Sequence, residues 1–286
     1  MKPTFIGIGA QKCATTWLYR ILEDHPEAAL SQPKELHFFS ANYDRGYRWY
    51  EAHFPAPASA RVVGEYSTSY LCSRDAAERA RCYDPTLRIL VALRDPVERA
   101  YSNHLHELRA GHLGAAPLAF ESCVDDNPMY LEQGLYARHL RRWLARFPRE
   151  QVHVVFQEHI EQDPVGQAAA LYRFLGIDPS HRSPYVAERV NTSVLKRSAH
   201  ARRLMQWTAG SLRKAFGDQW VRSLKVAPGV SRLRAANDKP LKDVVLPMQD
   251  DTRRHLVAHF TSDMRELAQM LDLAELPWRS WREAVT

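Results

Sequence analysis

Residues 4–22 read TFIGIGAQKCATTWLYRIL, and this stretch decides the fold class. The apolar run Thr4–Gly9 is typical of a strand that is buried on both faces of a parallel sheet. A helical pattern follows in Thr15–Asp24, which stops before His25-Pro26. The turn between them places backbone N–H groups, Lys12 and two threonine hydroxyls beside one helix N-terminus. The stretch predicts either an anion-binding loop or an ordinary turn with a solvent lysine and a threonine cap.

This turn differs from two common phosphate-binding motifs. The Walker A pattern needs a Gly-Lys pair, whereas Lys12 follows Gly9 by three residues. In the dinucleotide pattern G-x-G-x-x-G, Lys12 stands in the place of the third glycine. If the turn binds phosphate, it does so as another kind of phosphate loop.

The rest of the chain alternates between strand and helix patterns. Three more apolar runs predict strands: Arg61–Glu65, Leu87–Leu93 and Gln151–Phe156. Helical spacing predicts helices at Asp95–Ala110, Tyr136–Phe147 and Gly166–Leu175. This alternation predicts an α/β fold with a mostly parallel sheet flanked by helices, similar to P-loop proteins.

The C-terminal third has a different pattern. No strand pattern appears between Ser183 and Leu246, where basic residues alternate with aromatic ones, so we expect a helical insertion or cap. An amphipathic helix at Met248–Leu273 is expected to pack back on the sheet. We therefore predict one domain of residues 1–286, with an α/β core at 1–182, a cap at 183–246 and a C-terminal helix at 247–286.

Composition restricts the class of protein. The chain has 286 residues, of which 45% are hydrophobic and 25% charged, and these globular values exclude a disordered or fibrous protein. The sequence has no apolar run of 18 residues, and its four cysteines are sparse, so we expect a cytoplasmic protein with reduced thiols and no membrane span. The net charge of +6 favours anionic ligands. We expect no nucleic-acid partner, because the densest basic stretch, Lys196–Lys214, is typical of a solvated helix face.

Two further segments carry side chains suited to chemistry. Arg94 follows a predicted strand, so it lies on the same sheet edge as the Lys12 turn; it can bind an anion or pair with Asp95 or Glu98. The loop at 33–39 contains Glu35 and His37 among aromatic residues. These two residues can form a general base with an assisting imidazole, or Glu35 can pair with its lysine neighbour on the surface.

Several motifs follow one another in an order that resembles a known family. The chain is similar to sulfotransferases that use 3′-phosphoadenosine 5′-phosphosulfate (PAPS), particularly the heparan-sulfate type and its bacterial relatives. The matching segments are Gly9–Trp17, Pro33–Phe39, Gly64–Tyr70, Leu93–Ser102, Gly134–Leu140, Trp143-Leu144, Phe147-Pro148, Asp163-Pro164 and Phe174–Gly176.

The resemblance implies a role for particular residues. The loop that binds the 5′-phosphosulfate maps onto Gln11, Lys12, Cys13, Ala14, Thr15, Thr16 and Trp17. Lys12 would stabilise the phosphate leaving group, and Arg94 with Ser102 would bind the 3′-phosphate. Glu35 would take a proton from an acceptor hydroxyl, with His37 as its assistant. The acceptor is expected to be a carbohydrate or another small molecule.

The chain also departs from the family pattern. The Glu-Lys pair of the family is Glu65-Tyr66 here, so one basic acceptor contact is lost. Residues 191–197 occupy the place of a glycine- and lysine-rich loop that closes over the nucleotide, where Lys196 or Arg197 can substitute.

Two other functions remain open from the sequence alone. A P-loop kinase would need an acidic Mg²⁺ ligand, for which Asp95 is the candidate. A non-catalytic module could use the same loop to bind a nucleotide or a sulfated glycan. We expect no metal site, because His104 and His106 are two residues apart on a helix and point in different directions. The oligomeric state cannot be predicted.

Overall fold

The computed structural model describes residues 2–55, 57–110, 112, 119–187, 194–196, 238–240 and 245–282. The chain forms two compact units. The first contains Met1–Asn103, Val124–Val190 and Gln249–Thr286, and the second contains His104–Cys123 and Asn191–Met248. The division into core, cap and C-terminal helix stays a prediction.

The first unit contains a five-stranded parallel sheet with the strand order β2-β3-β1-β4-β5. Its strands are β1 (Phe5–Gly9), β2 (Ala28–Leu30), β3 (Val62–Tyr66), β4 (Arg88–Leu93) and β5 (Val152–Phe156). Every residue of β1 and β3 is buried, as expected of strands covered on both faces. The four predicted strands are confirmed to within one residue at each end, and the prediction missed only the three-residue β2 in this sheet.

The predicted helices are confirmed, and shorter ones lie between them. The longer helices are α1 (Thr15–Glu23), α4 (Ala76–Tyr83), α5 (Pro96–Ala110), α7 (Tyr136–Leu144), α9 (Pro164–Leu175) and α10 (Asp250–Met270). The shorter ones are α2 (Phe38–Ala41), α3 (Gly46–Glu51), α6 (Pro128–Glu132), α8 (Gln157–Gln162) and α11 (Arg279–Arg282). Helix α9 shows why such bounds can be predicted: the Asp163 side chain accepts the N–H of Gly166 at its start, and Gly176 ends it with a φ of 74°.

The C-terminal helix packs on a helix of the α/β core. Its apolar face is buried as expected, and α10 packs against α7, where the Asp263 carboxylate accepts the backbone N–H groups of Ala137 and Arg138 at 2.9 Å. Trp278 instead reaches the sheet, because its fully buried ring lies 5.7 Å from that of Phe156 in β5. The helix thus joins the core through another helix, and the residues after it supply the contact with the sheet.

The described part of residues 183–246 contains two short strands that the sequence pattern does not reveal. Within the second unit, β6 (Val194–Lys196) and β7 (Asp238–Pro240) form an antiparallel pair, with Leu195 opposite Lys239. Strands of three residues are too short to produce an alternating pattern, so periodicity could not reveal them. Most of the predicted cap lies outside the described residues.

Within the part of the chain that the structure describes, no helix combines the length and the apolar character needed to cross a membrane.

Candidate functional site

The Lys12 turn adopts an unusual backbone conformation. Lys12 and Ala14 have positive φ angles of 69° and 55°, which are uncommon for residues other than glycine, and Ala14 is the N-cap of α1. Alternating left-handed residues turn successive N–H groups toward one side, and the first N–H groups of α1 have no partner within the helix. The loop therefore has the backbone geometry of an anion-binding site.

Two side chains of this loop are buried and make contacts inside the protein. Cys13 is fully buried, and its Sγ lies 3.7 Å from Tyr136 Oη, whose hydroxyl also donates to the carbonyl oxygen of Arg94 at 2.9 Å. Burial raises the pKa of Cys13 to about 12, so the thiol is neutral and a poor nucleophile. Trp17 is 3% exposed and donates its indole N–H to the Val186 carbonyl oxygen at 3.2 Å. Gln11, Thr15 and Thr16 lie in the same turn and the start of α1.

Tyr136 therefore joins the two segments that the sequence assigns to the nucleotide. Its side chain is fully buried. Its hydroxyl contacts Cys13 of the Lys12 turn and also the carbonyl oxygen of Arg94, which directly follows β4. The sequence places Tyr136 in a family motif and at the start of a predicted helix, but assigns it no contact with the nucleotide loops. Its contacts show that it links the two loops.

Asp95 and Glu98 are engaged away from Arg94. The Asp95 carboxylate caps α5 by accepting the N–H of Val97 at 2.9 Å, and its other oxygen accepts the N–H of Ser280 at 3.3 Å. Glu98 pairs with Arg253 of α10 at 2.7 Å. The two carboxylates that the sequence offered to Arg94 thus have other partners, and Asp95 is positioned as a helix cap rather than as a metal ligand. Among the described residues, we find no group of three or more His, Cys, Asp or Glu that could share one ion.

A cavity of about 1010 Å³ opens beside Arg94. Its lining carries mixed charge, with arginines from three segments and carboxylates from α5, α8 and α10. Ser102 lies two turns along α5, is half-buried and is not among the described residues that line this cavity. Arg94 thus faces open space, whereas the joint action of Arg94 and Ser102 stays a prediction.

The loop at 33–39 has a second unusual backbone. Glu35 and His37 both have positive φ angles, 65° and 51°. Their side chains are 30% and 40% exposed, so both are accessible from solvent. Glu35 Oε2 lies 3.7 Å from His37 Nε2, and Glu35 Oε1 lies 3.6 Å from Lys34 Nζ. The structure therefore brings the predicted base and its predicted assistant together.

Residues after β3 support this loop. The hydroxyl of Thr68 donates to Glu35 Oε2 at 3.1 Å, and the hydroxyl of Ser69 lies 2.8 Å from His37 Nδ1. Sequence reasoning quoted these residues only for the family resemblance and gave them no role. The signal that could have found them is the run of three hydroxyl residues, Ser67–Ser69, directly after a buried strand.

The strand order brings the three segments to one edge of the sheet. Strand β1 lies between β3 and β4, and the Lys12 turn, residues 67–70 and Arg94 follow the carboxyl ends of these parallel strands. Lys34 Nζ lies over the Tyr66 ring, and the Tyr66 hydroxyl donates to the Gly9 carbonyl oxygen at 2.8 Å. Tyr66 therefore connects the loop at 33–39, here called the base loop, to the Lys12 turn. Of the two predicted cap residues, Lys196 lies in β6 of the second unit, and Arg197 lies outside the described residues.

Comparison with known proteins identifies the family. The sulfotransferase domain model matches residues 2–226. The chain belongs to the sulfotransferase family. The resemblance found in the motifs is thereby confirmed.

The curated relatives of this sulfotransferase include heparan sulfate enzymes. Human bifunctional heparan sulfate N-deacetylase/N-sulfotransferase 3 is 32% identical over 198 residues, which are 63% of this chain and 23% of that protein. Human heparan sulfate glucosamine 3-O-sulfotransferase 3B1 is 32% identical over 181 residues, 61% of this chain and 46% of that protein. The chain thus spans less than half the length of these relatives.

A solved structure confirms the fold. The crystal structure of a sulfotransferase from Alicyclobacillus acidocaldarius matches this sulfotransferase with a TM-score of 0.71 and 24% identity. The match covers 98% of this chain and 99% of that chain. The predicted α/β architecture is therefore confirmed.

Proposed function

We propose that this sulfotransferase transfers a sulfuryl group from PAPS to a hydroxyl group of a carbohydrate or another small molecule. The observation that carries the proposal is the sheet edge at which an anion-binding loop follows β1 and hydroxyl residues after the neighbouring β3 hold the solvent-accessible Glu35 carboxylate of the loop after β2. The names of the relatives favour a carbohydrate acceptor.

The residues present fit a donor with two anionic groups. The left-handed turn at Lys12 and Ala14, together with the N-terminus of α1, offers N–H groups and a cation to the phosphosulfate. Arg94, on the far side of the Tyr136 link, offers a second cation to the 3′-phosphate. When bound, PAPS supplies the sulfuryl group.

The chemistry of the protein lies in two side chains. Glu35 accepts the proton of the acceptor hydroxyl as its oxygen approaches sulfur, and His37 and Thr68 keep the carboxylate in place. Lys12 stabilises the negative charge that develops on the departing phosphate. Both groups act on charge that forms during transfer, which is where an enzyme gains rate.

Nucleotide binding is the first test. In a thermal-shift assay, adenosine 3′,5′-bisphosphate without Mg²⁺ should raise the melting temperature of the protein, whereas Mg-ATP should not. Stabilisation by Mg-ATP alone would support a kinase and contradict the proposal. The same measurement on Lys12→Ala and Arg94→Ala should show a smaller shift.

Transfer is the second test. Sulfur-35-labelled PAPS is offered with heparan sulfate, monosaccharides and phenols, all of which carry hydroxyl groups, and labelled product is separated from donor. The matched control is Glu35→Gln, which should bind adenosine 3′,5′-bisphosphate normally and lose transfer. Nucleotide binding without transfer to any acceptor class would favour the non-catalytic alternative.

A further inference from the structure

A buried carboxylate in the sheet has no part in the chemistry described above. Glu65 is the fourth residue of β3, and its side chain is fully buried. Burying an ionised carboxylate is unfavourable unless hydrogen bonds compensate for the lost water. The contacts of Glu65 should therefore indicate what it holds.

Three hydroxyl groups donate to the Glu65 carboxylate. They are those of Tyr50 at 3.1 Å, of Ser67 at 2.6 Å and of Tyr70. The donor set suits an ionised carboxylate, which only accepts hydrogen bonds. The backbone of Leu36, between Glu35 and His37, also favours the ionised form and lowers the pKa of Glu65.

Ser67 connects Glu65 to the backbone of His37. Its oxygen accepts the backbone N–H of His37 at 2.9 Å while its hydroxyl donates to Glu65. The carbonyl oxygen of Leu36 accepts from the Asn42 side chain at 2.9 Å. The N–H group of His37 thus depends on Glu65 through Ser67.

The backbone held in this way is one that the residues do not favour. Glu35 and His37 are both left-handed, a conformation that a residue with a side chain keeps only when the surroundings impose it. Here Ser67, itself bonded to Glu65, holds the peptide group between Leu36 and His37. Without these bonds the loop is free to relax toward ordinary backbone angles, and the Glu35 carboxylate moves with it.

Building on the proposed function, we propose that Glu65 is a positioning residue for sulfuryl transfer: its carboxylate, acting through Ser67, holds the backbone at His37 so that Glu35 faces the acceptor. Glu65 itself is too buried to touch a substrate. Burial raises its pKa to about 6, against the opposing effect of its donors, so at neutral pH it is mainly the ionised acceptor that its donors require.

The test compares Glu65→Gln and Ser67→Ala with Tyr172→Phe. The last variant removes a buried hydrogen bond to the Ile21 carbonyl oxygen, remote from the loop, and controls for a general loss of stability. Ser67→Ala removes the connection to His37 together with one hydroxyl donor to Glu65, keeps the carboxylate itself, and serves if Glu65→Gln does not fold. Each variant is studied as the full chain.

Hydrogen exchange reports on the loop without any acceptor. In Glu65→Gln and Ser67→Ala, exchange of the peptide covering 33–39 should rise by about tenfold or more, while that of 11–17 stays within about twofold of wild type. The dissociation constant for adenosine 3′,5′-bisphosphate should also stay within about twofold. Unchanged loop exchange, or exchange raised equally at 11–17 or in Tyr172→Phe, would overturn the proposal.

Transfer assays test the consequence for catalysis. With the acceptor found in the panel, kcat should fall by about 10–100-fold in Glu65→Gln, with KM values within about threefold of wild type. An unchanged kcat with a loosened loop would overturn the positioning role. If the wild-type protein transfers nothing, the proposed function fails, and the exchange data still decide whether Glu65 holds the loop.

Discussion

Glu65 should make the stability of this protein depend on pH in an uncommon direction. Burial raises its pKa from 4.5 to about 6, although its hydrogen bonds act in the opposite sense. The folded protein therefore binds this proton more tightly than the unfolded chain does. The ionised carboxylate lowers stability above about pH 6, and this destabilisation disappears as the pH falls through about 4.5.

The pKa values set the magnitude. The difference between about 6 and 4.5, at about 1.36 kcal/mol for each pH unit, corresponds to about 2 kcal/mol. Glu65→Gln lacks this titration, and the other titrating groups are the same in both proteins. The free energy of unfolding of wild type, measured relative to the variant, should thus increase by about 2 kcal/mol from about pH 7 to about pH 4.5.

Urea unfolding curves of both proteins at several pH values between these limits provide the measurement, with midpoints converted through the slope m. Acid effects that are common to both proteins cancel in the difference between their free energies of unfolding. A difference that does not change with pH would mean that the pKa of Glu65 is the same folded and unfolded. A change of opposite sign would mean that its donors outweigh burial, and either result would refute the reasoning.

Three further substitutions have definite expected outcomes. Lys12→Ala should lower kcat by about 10²–10³-fold without changing the melting temperature, measured by transfer assay and thermal shift; near-normal turnover would remove Lys12 from the mechanism. Arg94→Ala should weaken the binding of adenosine 3′,5′-bisphosphate by about 1.5–3 kcal/mol in calorimetry but leave the binding of adenosine 5′-monophosphate unchanged; equal losses of binding would make Arg94 structural. Gly7→Ala should destabilise the protein by about 1–3 kcal/mol, because the added carbon would lie 2.1 Å from the Tyr66 ring. In urea unfolding this loss should be smaller in a Tyr66→Leu background; equal losses in both backgrounds would contradict the steric cause.

The sheet could be predicted from the sequence because its strands have a strong signal. Runs such as Leu87–Leu93 are apolar without alternation, since both faces of the strand are buried, and proline or glycine residues mark the ends of the helices. Strands β2, β6 and β7 have three residues each, and their pairing depends on distant partners rather than on local pattern. Periodicity therefore detects the long buried strands and misses the short ones.

The site could be predicted in part for a related reason. Parallel topology places the ends of β1 and β4 at one edge, so Lys12 and Arg94 could be assigned to one region before any coordinates. The conformation of the base loop could not be predicted, because neither glutamate nor histidine signals a left-handed backbone. The support from Glu65 was equally hidden, because the sequence alone does not show which loop packs beside the end of β3.

The strand order has a consequence for the direction of transfer. In-line displacement requires the entering oxygen and the departing phosphate to lie on opposite sides of sulfur. Neighbouring strands are about 4.8 Å apart, so the ends of β3 and β4 lie about 10 Å from each other, on either side of the loop that follows β1. The β3 side carries the hydroxyls that hold Glu35, and the β4 side carries Arg94. A donor can bind with its 3′-phosphate near Arg94 and its phosphosulfate in the Lys12 turn. Its sulfur would then face Glu35. If β3 and β4 exchanged places in the sheet, Glu35 would instead lie on the side of the nucleotide.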